Sequence, residues 1–365
     1  MFNNTFSGKT VVITGHTGFK GSWLSMWLMK LGARVVGISS GIPSDPSHYE
    51  VSGLKQQLGG LFTDIRDLES LVEIFQKEKP DYVFHLAAQA IVSESYRAPV
   101  DTFSTNVLGT VNVLEAIRVT MDRCVAIVIT SDKCYENVEW VWGYRETDRL
   151  GGKDIYSGSK GAAELAISSY INSFFNRRSG IRVGICRAGN VIGGGDWARD
   201  RIVVDCIRSW SRGEKVKIRN PDATRPWQHV LEPLSGYLLL AKSLTESGQL
   251  HGEAFNFGPE NCESVPVVQL LHDLALEWGF NDPTESYEVT GETHFKEAGL
   301  LRLNCDKALF HLGWRPNLEY SEMVRFVGEW YREFYMRKDS TACLSRQQIS
   351  QYEELGKARK RVWVQ

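Results

Sequence analysis

The sequence predicts an α/β protein built on a doubly wound parallel sheet, followed by a smaller C-terminal region, and three observations carry that expectation. Through residue 188, short apolar runs alternate with longer helical patterns, as they do when a parallel sheet is covered by helices. A glycine-spaced loop over residues 14–21 stands directly between the first apolar run and the first helical pattern. Beyond residue 189 the alternation gives way to Gly193-Gly194-Gly195-Asp196-Trp197, many arginines and shorter, less regular segments.

Strands are expected over 9–15, 34–38, 62–65, 82–87, 125–130 and 183–186, with helices over 23–31, 67–78, 102–119 and 156–175. This assigns residues 1–188 to the sheet domain, with return segments after about 226, and 189–365 mainly to a region lying over the carboxyl edge of the sheet. Open parallel sheets bind ligands at that edge. The charged stretch 345–361 reads as a solvated helix or tail.

Whole-chain properties narrow the function. With 42% hydrophobic and 24% charged residues, the 365-residue chain has apolar material for a substantial core. Its formal net charge of -2 gives no basic footprint for nucleic acid. The most apolar helical stretch, Trp23 to Leu31, is far shorter than the roughly 20 residues that span a bilayer. The polar residues 1–10 lack the cationic and apolar parts of a secretory signal, so a cytoplasmic location without membrane or nucleic-acid partners is expected. Seven scattered cysteines without CxxC or Cys/His spacing predict reduced thiols and no metal site. Cys134 reads as a packing residue or a reactive thiol.

The loop Thr14-Gly15-His16-Thr17-Gly18-Phe19-Lys20-Gly21 carries the first chemistry. Gly15, Gly18 and Gly21 permit a tight turn, close approach of backbone to a pyrophosphate, and close packing of helix on strand, with Thr17, Phe19 and Lys20 beside them. Asp64 and Ile65 at the end of the third strand, and Leu86, Ala87, Ala88 and Gln89 at the end of the fourth, would surround the adenosine half. Asp64 either accepts from the adenine amino group or caps the chain at Arg66. The second strand ends at Ser39 and Ser40 without the acidic residue usual for a ribose hydroxyl, and no arginine follows closely, which favours NAD over NADP. Tyr156 and Lys160 stand at i, i+4 on one helix face, where an ammonium group and a nicotinamide cation nearby would lower the phenol's pKa. Ser131 stands at the end of the fifth strand, 25 residues before Tyr156.

With these residues together, the chain resembles the extended short-chain dehydrogenases/reductases with their Rossmann domain. Segments 14–21, 131–137, 193–201 and 219–229 resemble the CDP-D-glucose branch of their sugar-nucleotide 4,6-dehydratases. The resemblance implies a nicotinamide-dependent hydro-lyase acting on CDP-D-glucose. It gives Tyr156 the 4-hydroxyl proton, Ser131 the oxygen, Asp132 the role of general acid on the 6-hydroxyl, and Lys133 the role of carbon-5 base. Related dTDP-glucose dehydratases carry Asp-Glu where this chain has Asp132-Lys133, so Glu136 stands as an alternative base. The resemblance also places Asn106 at a helix irregularity near the cofactor, where a plain polar helix residue is the other reading.

Asn190, Arg199, Arg219, Arg225, His229 and Arg302 are candidates for holding the nucleoside diphosphate, since guanidinium groups pair with phosphate through two hydrogen bonds at once. A homodimer through the helices near 102–119 and 156–175, or a homotetramer, is implied, as is a place in deoxysugar synthesis for bacterial surface polysaccharide such as lipopolysaccharide O-antigen. Epimerases of the same type usually lack an acid/base pair at 132 and 133. A non-catalytic cofactor sensor tends to lose Tyr156 or Lys160.

Overall fold

Val11, Val12 and Ile13 are apolar in succession, as a strand covered on both faces requires. In the computed structural model, which describes residues 1–58, 60–177, 180–259, 265–290, 300–336 and 341–365, they belong to β1 (Thr10–Thr14). Cys262 lies outside the described residues. β1 is joined by β2 (Arg34–Ser39), β3 (Leu61–Phe62), β4 (Tyr82–His85), β5 (Cys124–Ile129), β6 (Ile181–Arg187) and β7 (Ala254–Asn256). These strands form one parallel sheet in the order β7-β6-β5-β4-β1-β2-β3. The order reverses between β1 and β4, so the segments leaving those two strands diverge and open a crevice at the carboxyl edge.

Alternation along each strand builds two cores. Val11 and Ile13 join the apolar cluster containing Trp23 and Trp27 of α1 (Phe19–Lys30). Val12 joins Leu71 of α2 (Leu68–Glu78), Leu114 of α3 (Gly109–Thr120) and Ile167 of α4 (Ile155–Tyr170). The helix expected over 102–119 is broken: Pro99–Phe103 is helical, Ser104–Leu108 is a π-helical turn, and α3 follows. The helix expected to reach residue 175 likewise ends in a π turn over Ile171–Phe175. The third strand stops at Phe62, so Asp64 and Ile65 lie beyond it.

Past residue 189 the chain forms α5 (Ile202–Trp210), returns with α6 (Leu231–Glu246) against β5 and β6, and adds β7 to the edge of the sheet. It continues through α7 (Val267–Trp278) and α8 (Tyr320–Met336) to α9 (Thr341–Ala358). The last helix corrects the expectation of a solvated tail. Ser345, Ile349 and Tyr352 share one buried face at helical spacing, and Trp27 Nε1 donates to Glu353 at 2.9 Å. Charges on the other face, such as Glu354 and Lys357, had masked this periodicity. No helix among the described residues is long and apolar enough to cross a membrane.

Glu232, buried in α6, holds this C-terminal layer. Its carboxylate accepts from the backbone of Asn317 at 2.8 Å and Leu318 at 2.6 Å, and from the Tyr352 hydroxyl at 2.8 Å. Burial pushes its pKa up to about 7 despite those donors. A carboxyl whose pKa is raised on folding holds its proton more tightly in the native state, so its contribution to stability falls as pH rises through about 7. We expect the fall in thermal unfolding temperature between pH 6 and pH 8 to be smaller in Glu232→Gln than in the parent, measured by calorimetry at the two pH values.

Candidate active site

The glycine loop sits where β1, β2 and β4 end. Gly15 adopts φ 78°, and a Cβ there would lie 2.8 Å from the Ala87 amide nitrogen, so no side chain fits. A Cβ on Gly21 would overlap the Gly15 carbonyl, which is why α1 can pack this close to the loop. Gly18 caps α1 without any side chain taking up the first-turn amides, leaving a helix N-terminus aimed at the loop. A side-chain-free cradle at a helix start fits a dinucleotide pyrophosphate. Along its flank, Thr17 Oγ1 donates to the Gly41 carbonyl at 2.7 Å, and Ser39 Oγ meets His16 Nδ1 at 2.9 Å. Asp64 is engaged by Arg66, whose Nη2 donates to it at 2.7 Å, while Ile65 is buried beside Gly109.

A directed chain of hydrogen bonds runs from this loop to α4. Ala87 N donates to Thr14 Oγ1 (3.2 Å), which faces His85 Nδ1 (2.7 Å); His85 Nε2 faces Thr110 Oγ1 (3.0 Å), which donates to the Asn106 carbonyl (2.7 Å). Because each hydroxyl has one proton, this order puts the His85 proton on Nε2. Burial holds the ring neutral, with its pKa lowered to about 3. From the π turn, Asn106 bonds both backbone groups of Gln89 and donates to Ser159 Oγ at 2.9 Å; Ser159 in turn donates to the Tyr156 carbonyl at 2.7 Å. The extra residue in the turn is what carries the Asn106 amide across to α4.

Asp154 caps α4 by accepting from Ser157 N at 2.9 Å, and the buried side of the helix carries Tyr156 and Lys160. Lys160 Nζ lies 6.0 Å from the centre of the Tyr156 ring. Opposite them, Ser131 starts a short 3-10 turn, Asp132–Cys134, and its Oγ donates to Asp132 Oδ1 at 3.0 Å while accepting from Lys133 N at 3.2 Å. Burial pushes the Tyr156 pKa up to about 12, outweighing its hydrogen bond with Ser131. Burial also brings Lys160 down to about 8. Crowding by protein and the nearby Arg201 charge bring Lys20 down to about 8 as well, within reach of Asp132, Asp196 and Lys160. Lys133 is half-buried, and Glu136 pairs with the exposed Arg149 at 3.1 Å. Cys134 is fully buried with its thiol pKa pushed well up, which makes it a packing residue.

Behind this cluster lies a buried ion pair. Arg187, at the end of β6, donates to Glu164 of α4 from Nε at 2.7 Å and from Nη2 at 2.5 Å, and Thr130 donates to the same carboxylate at 2.6 Å. Arg187 Nη1 also reaches the Tyr135 hydroxyl at 2.7 Å and the Glu146 carbonyl at 3.0 Å.

The sequence-predicted substrate residues do not converge equally. Arg225 and Arg302 are half-buried, Arg199 and Arg219 are exposed, and Asn190 adopts φ 52° with its carbonyl accepting from Gln228 N at 3.2 Å. His229 departs from the expectation of a substrate contact: it is fully buried, edge-on to Trp23 and Phe326. The alternation of β-bridging residues 228–229 turns it into the core. Sequence reasoning passed over Arg201, whose Nη1 pairs with the buried Asp196 at 2.8 Å and whose charge acts on both Tyr156 and Lys20. It also passed over Glu164, although Lys160 and Glu164 at i, i+4 share a face.

With fold and site defined, the class follows from comparison. Residues 12–327 match the family model described as GDP-mannose 4,6 dehydratase. The chain belongs to that family. Among curated relatives, it is 45% identical over 353 residues to the CDP-glucose 4,6-dehydratase of Salmonella typhimurium, covering 96% of this chain and 97% of the relative. Among solved structures, it resembles the UDP-glucose 4-epimerase of Thermotoga maritima with UDP-glucose, at TM-score 0.76 and 25% identity over 89% of this chain and 99% of the other. The dTDP-glucose 4,6-dehydratase of Bacillus anthracis in complex with NAD has TM-score 0.75 at 17% identity, covering 89% of this chain and 97% of the other.

Removing one partner of a buried ion pair strands a charge, at a cost of about 3–5 kcal/mol, whereas replacing both by apolar groups is often close to neutral. We therefore expect Arg187→Met to lose that much in chemical denaturation and Glu164→Leu/Arg187→Met to regain most of it.

Proposed function

We propose that this protein is an NAD-dependent hydro-lyase that converts CDP-D-glucose to CDP-4-dehydro-6-deoxy-D-glucose and water. The observation that carries this reading is Asp132 next to Ser131 and acting on Tyr156, with Lys133 following it in the same turn, which supports an acid and a base beside an oxidation site. The likeness to the Salmonella typhimurium dehydratase over nearly the whole chain supports the nucleotide and the sugar.

Bound in the glycine-loop cradle, NAD supplies a place for hydride to leave the sugar and return to it. The chain's own residues manage the protons. Tyr156, as the phenolate that the Lys160 charge and a bound nicotinamide cation would favour, takes the 4-hydroxyl proton while Ser131 holds the sugar oxygen. A ketone at carbon 4 acidifies the carbon-5 proton, which Lys133 removes, and Asp132 protonates the departing 6-hydroxyl. The ion pair between Glu136 and Arg149 favours Lys133 over Glu136 as that base. Residues 1–188 serve mainly the cofactor and 189–365 mainly the nucleotide sugar, with Arg225, Arg302 and Arg201 the arginines best seated to meet phosphate. The six described cysteines are free thiols, which supports a cytoplasmic enzyme.

Purified protein incubated separately with CDP-glucose, dTDP-glucose and GDP-mannose, each with catalytic NAD, is expected to release water from CDP-glucose alone, read by mass spectrometry. Tyr156→Phe is expected to cut that turnover by at least about a hundredfold. Dehydration of neither CDP-glucose nor the others would move the assignment to epimerisation.

The enzyme works as a homodimer. Val100 (80% exposed), Phe103 and Leu108 (57%) form an apolar face at a cavity of about 550 Å³ lined by Pro99, Val100, Phe103, Ser104, Val107 and Leu108, and Leu165 (61%) and Phe174 are exposed on α4 and the π turn that follows it. A twofold axis would bury this face against its own copy. Val100→Glu is expected to give monomers in sedimentation equilibrium where the parent sediments as a dimer; a halved tetramer would instead mark a second interface.

A further inference from the structure

Gly189 follows Ala188 at the exit of β6, directly beneath the turn that carries Asp132. A Cβ built on Gly189 would overlap the Asp132 carboxyl group, meeting both oxygens and Cγ. The backbone gives no other reason for a glycine here, because Gly189 is absent from the residues with positive φ. Nor can the main chain retreat. The Gly189 carbonyl accepts from Gln228 Nε2 at 3.0 Å, and that same nitrogen donates to the Phe257 carbonyl at 2.9 Å. Two residues earlier, the Arg187 carbonyl accepts from Phe257 N at 2.8 Å, and the Arg187 side chain is locked to Glu164. Asp132 is equally confined. It is 4% exposed, its Oδ1 accepts from Ser131 Oγ at 3.0 Å, and its short side chain has only two torsions with which to move away.

We infer that Gly189 is a positioning residue for water loss: its missing side chain is the space in which the Asp132 carboxyl group stands. The inference rests on the reading of Asp132 as general acid. In that step the Asp132 proton goes to the 6-hydroxyl oxygen and the carbon 6–oxygen bond breaks, releasing water. The electron pair of the carbon 5–hydrogen bond becomes the second bond between carbons 5 and 6, and the carbon-5 proton ends on the base. The acid must reach the 6-hydroxyl without disturbing Tyr156 at carbon 4. The three atoms that such a side chain would meet first all belong to Asp132, so it slows elimination more than oxidation.

The test compares Gly189→Ala, Asp132→Ala and the double variant. With CDP-glucose, Gly189→Ala is expected to lower kcat about a hundredfold, the scale of a misplacement near 1 Å. Under stoichiometric enzyme it should accumulate a 4-ketosugar that has lost two hydrogens but no water, seen by mass spectrometry. Thermal unfolding gives a second readout, independent of turnover: Gly189→Ala is expected to unfold at lower temperature than the parent, and the double variant to recover to the level of Asp132→Ala. Should Gly189→Ala not fold at all, recovery of folding in the double variant carries the same conclusion. A Gly189→Ala protein with parental kcat while Asp132→Ala is slowed, or an unfolding loss that Asp132→Ala does not relieve, would overturn the inference. Parental turnover in Asp132→Ala would instead overturn the acid role beneath it.

Discussion

Glu164 and Arg187 sit where the ends of β5 and β6 meet α4. A carboxylate and a guanidinium removed from water are costly, and their mutual attraction roughly offsets that cost only when the geometry is good and the remaining donors and acceptors are satisfied. Here they are: Thr130 and Arg187 share the Glu164 carboxylate, and Tyr135 and the Glu146 carbonyl take up the third guanidinium nitrogen. The pair adds little net stability and a great deal of definition. With the helix carrying Tyr156 and Lys160 tied to the strand end that leads to Gly189, and with Tyr135 tied to the turn that begins at Asp132, these side chains inherit their spacing from the ion pair.

The hydrogen-bond chain through His85 does the same work on the cofactor side. It links the glycine loop to the π turn and the π turn to Ser159, so the cradle and the catalytic helix are parts of one buried framework. Burial then sets the electrostatics. Desolvation drives phenol pKa up and ammonium pKa down, and it does both here, raising the Tyr156 phenol and bringing Lys160 and Lys20 close to losing their charge in mildly alkaline solution. Asp132 and Asp196 stand among Lys20, Lys160 and Arg201, a cluster of mixed sign suited to proton traffic and to receiving an anionic substrate.

Much of this was legible along the chain. Apolar runs and helical periods gave the sheet and its covering helices, because strands buried on both faces cannot hide their composition. The glycine loop announced itself because only glycine tolerates φ 78° at Gly15 and the contact at Gly21. Tyr156 and Lys160 were visible through helical spacing alone. Less legible were elements whose burial depends on partners far away in sequence. Residues 345–361 are charged enough to look solvated, yet one face meets Trp27 and Asn317. His229, among polar and aromatic neighbours, looked like a ligand contact and proved to be core.

The sequence by itself determined the fold class, the dinucleotide cradle and the set of groups available for chemistry, since periodicity, glycine conformation and side-chain type are local properties. Only the tertiary structure decided that Arg201 rather than Arg199 pairs with Asp196 beside Lys20, that burial raises the Tyr156 phenol, and that Gly189 makes room for Asp132. Those outcomes depend on burial and on distances between segments that the chain brings together only when the sheet closes, and neither quantity is written in the order of residues.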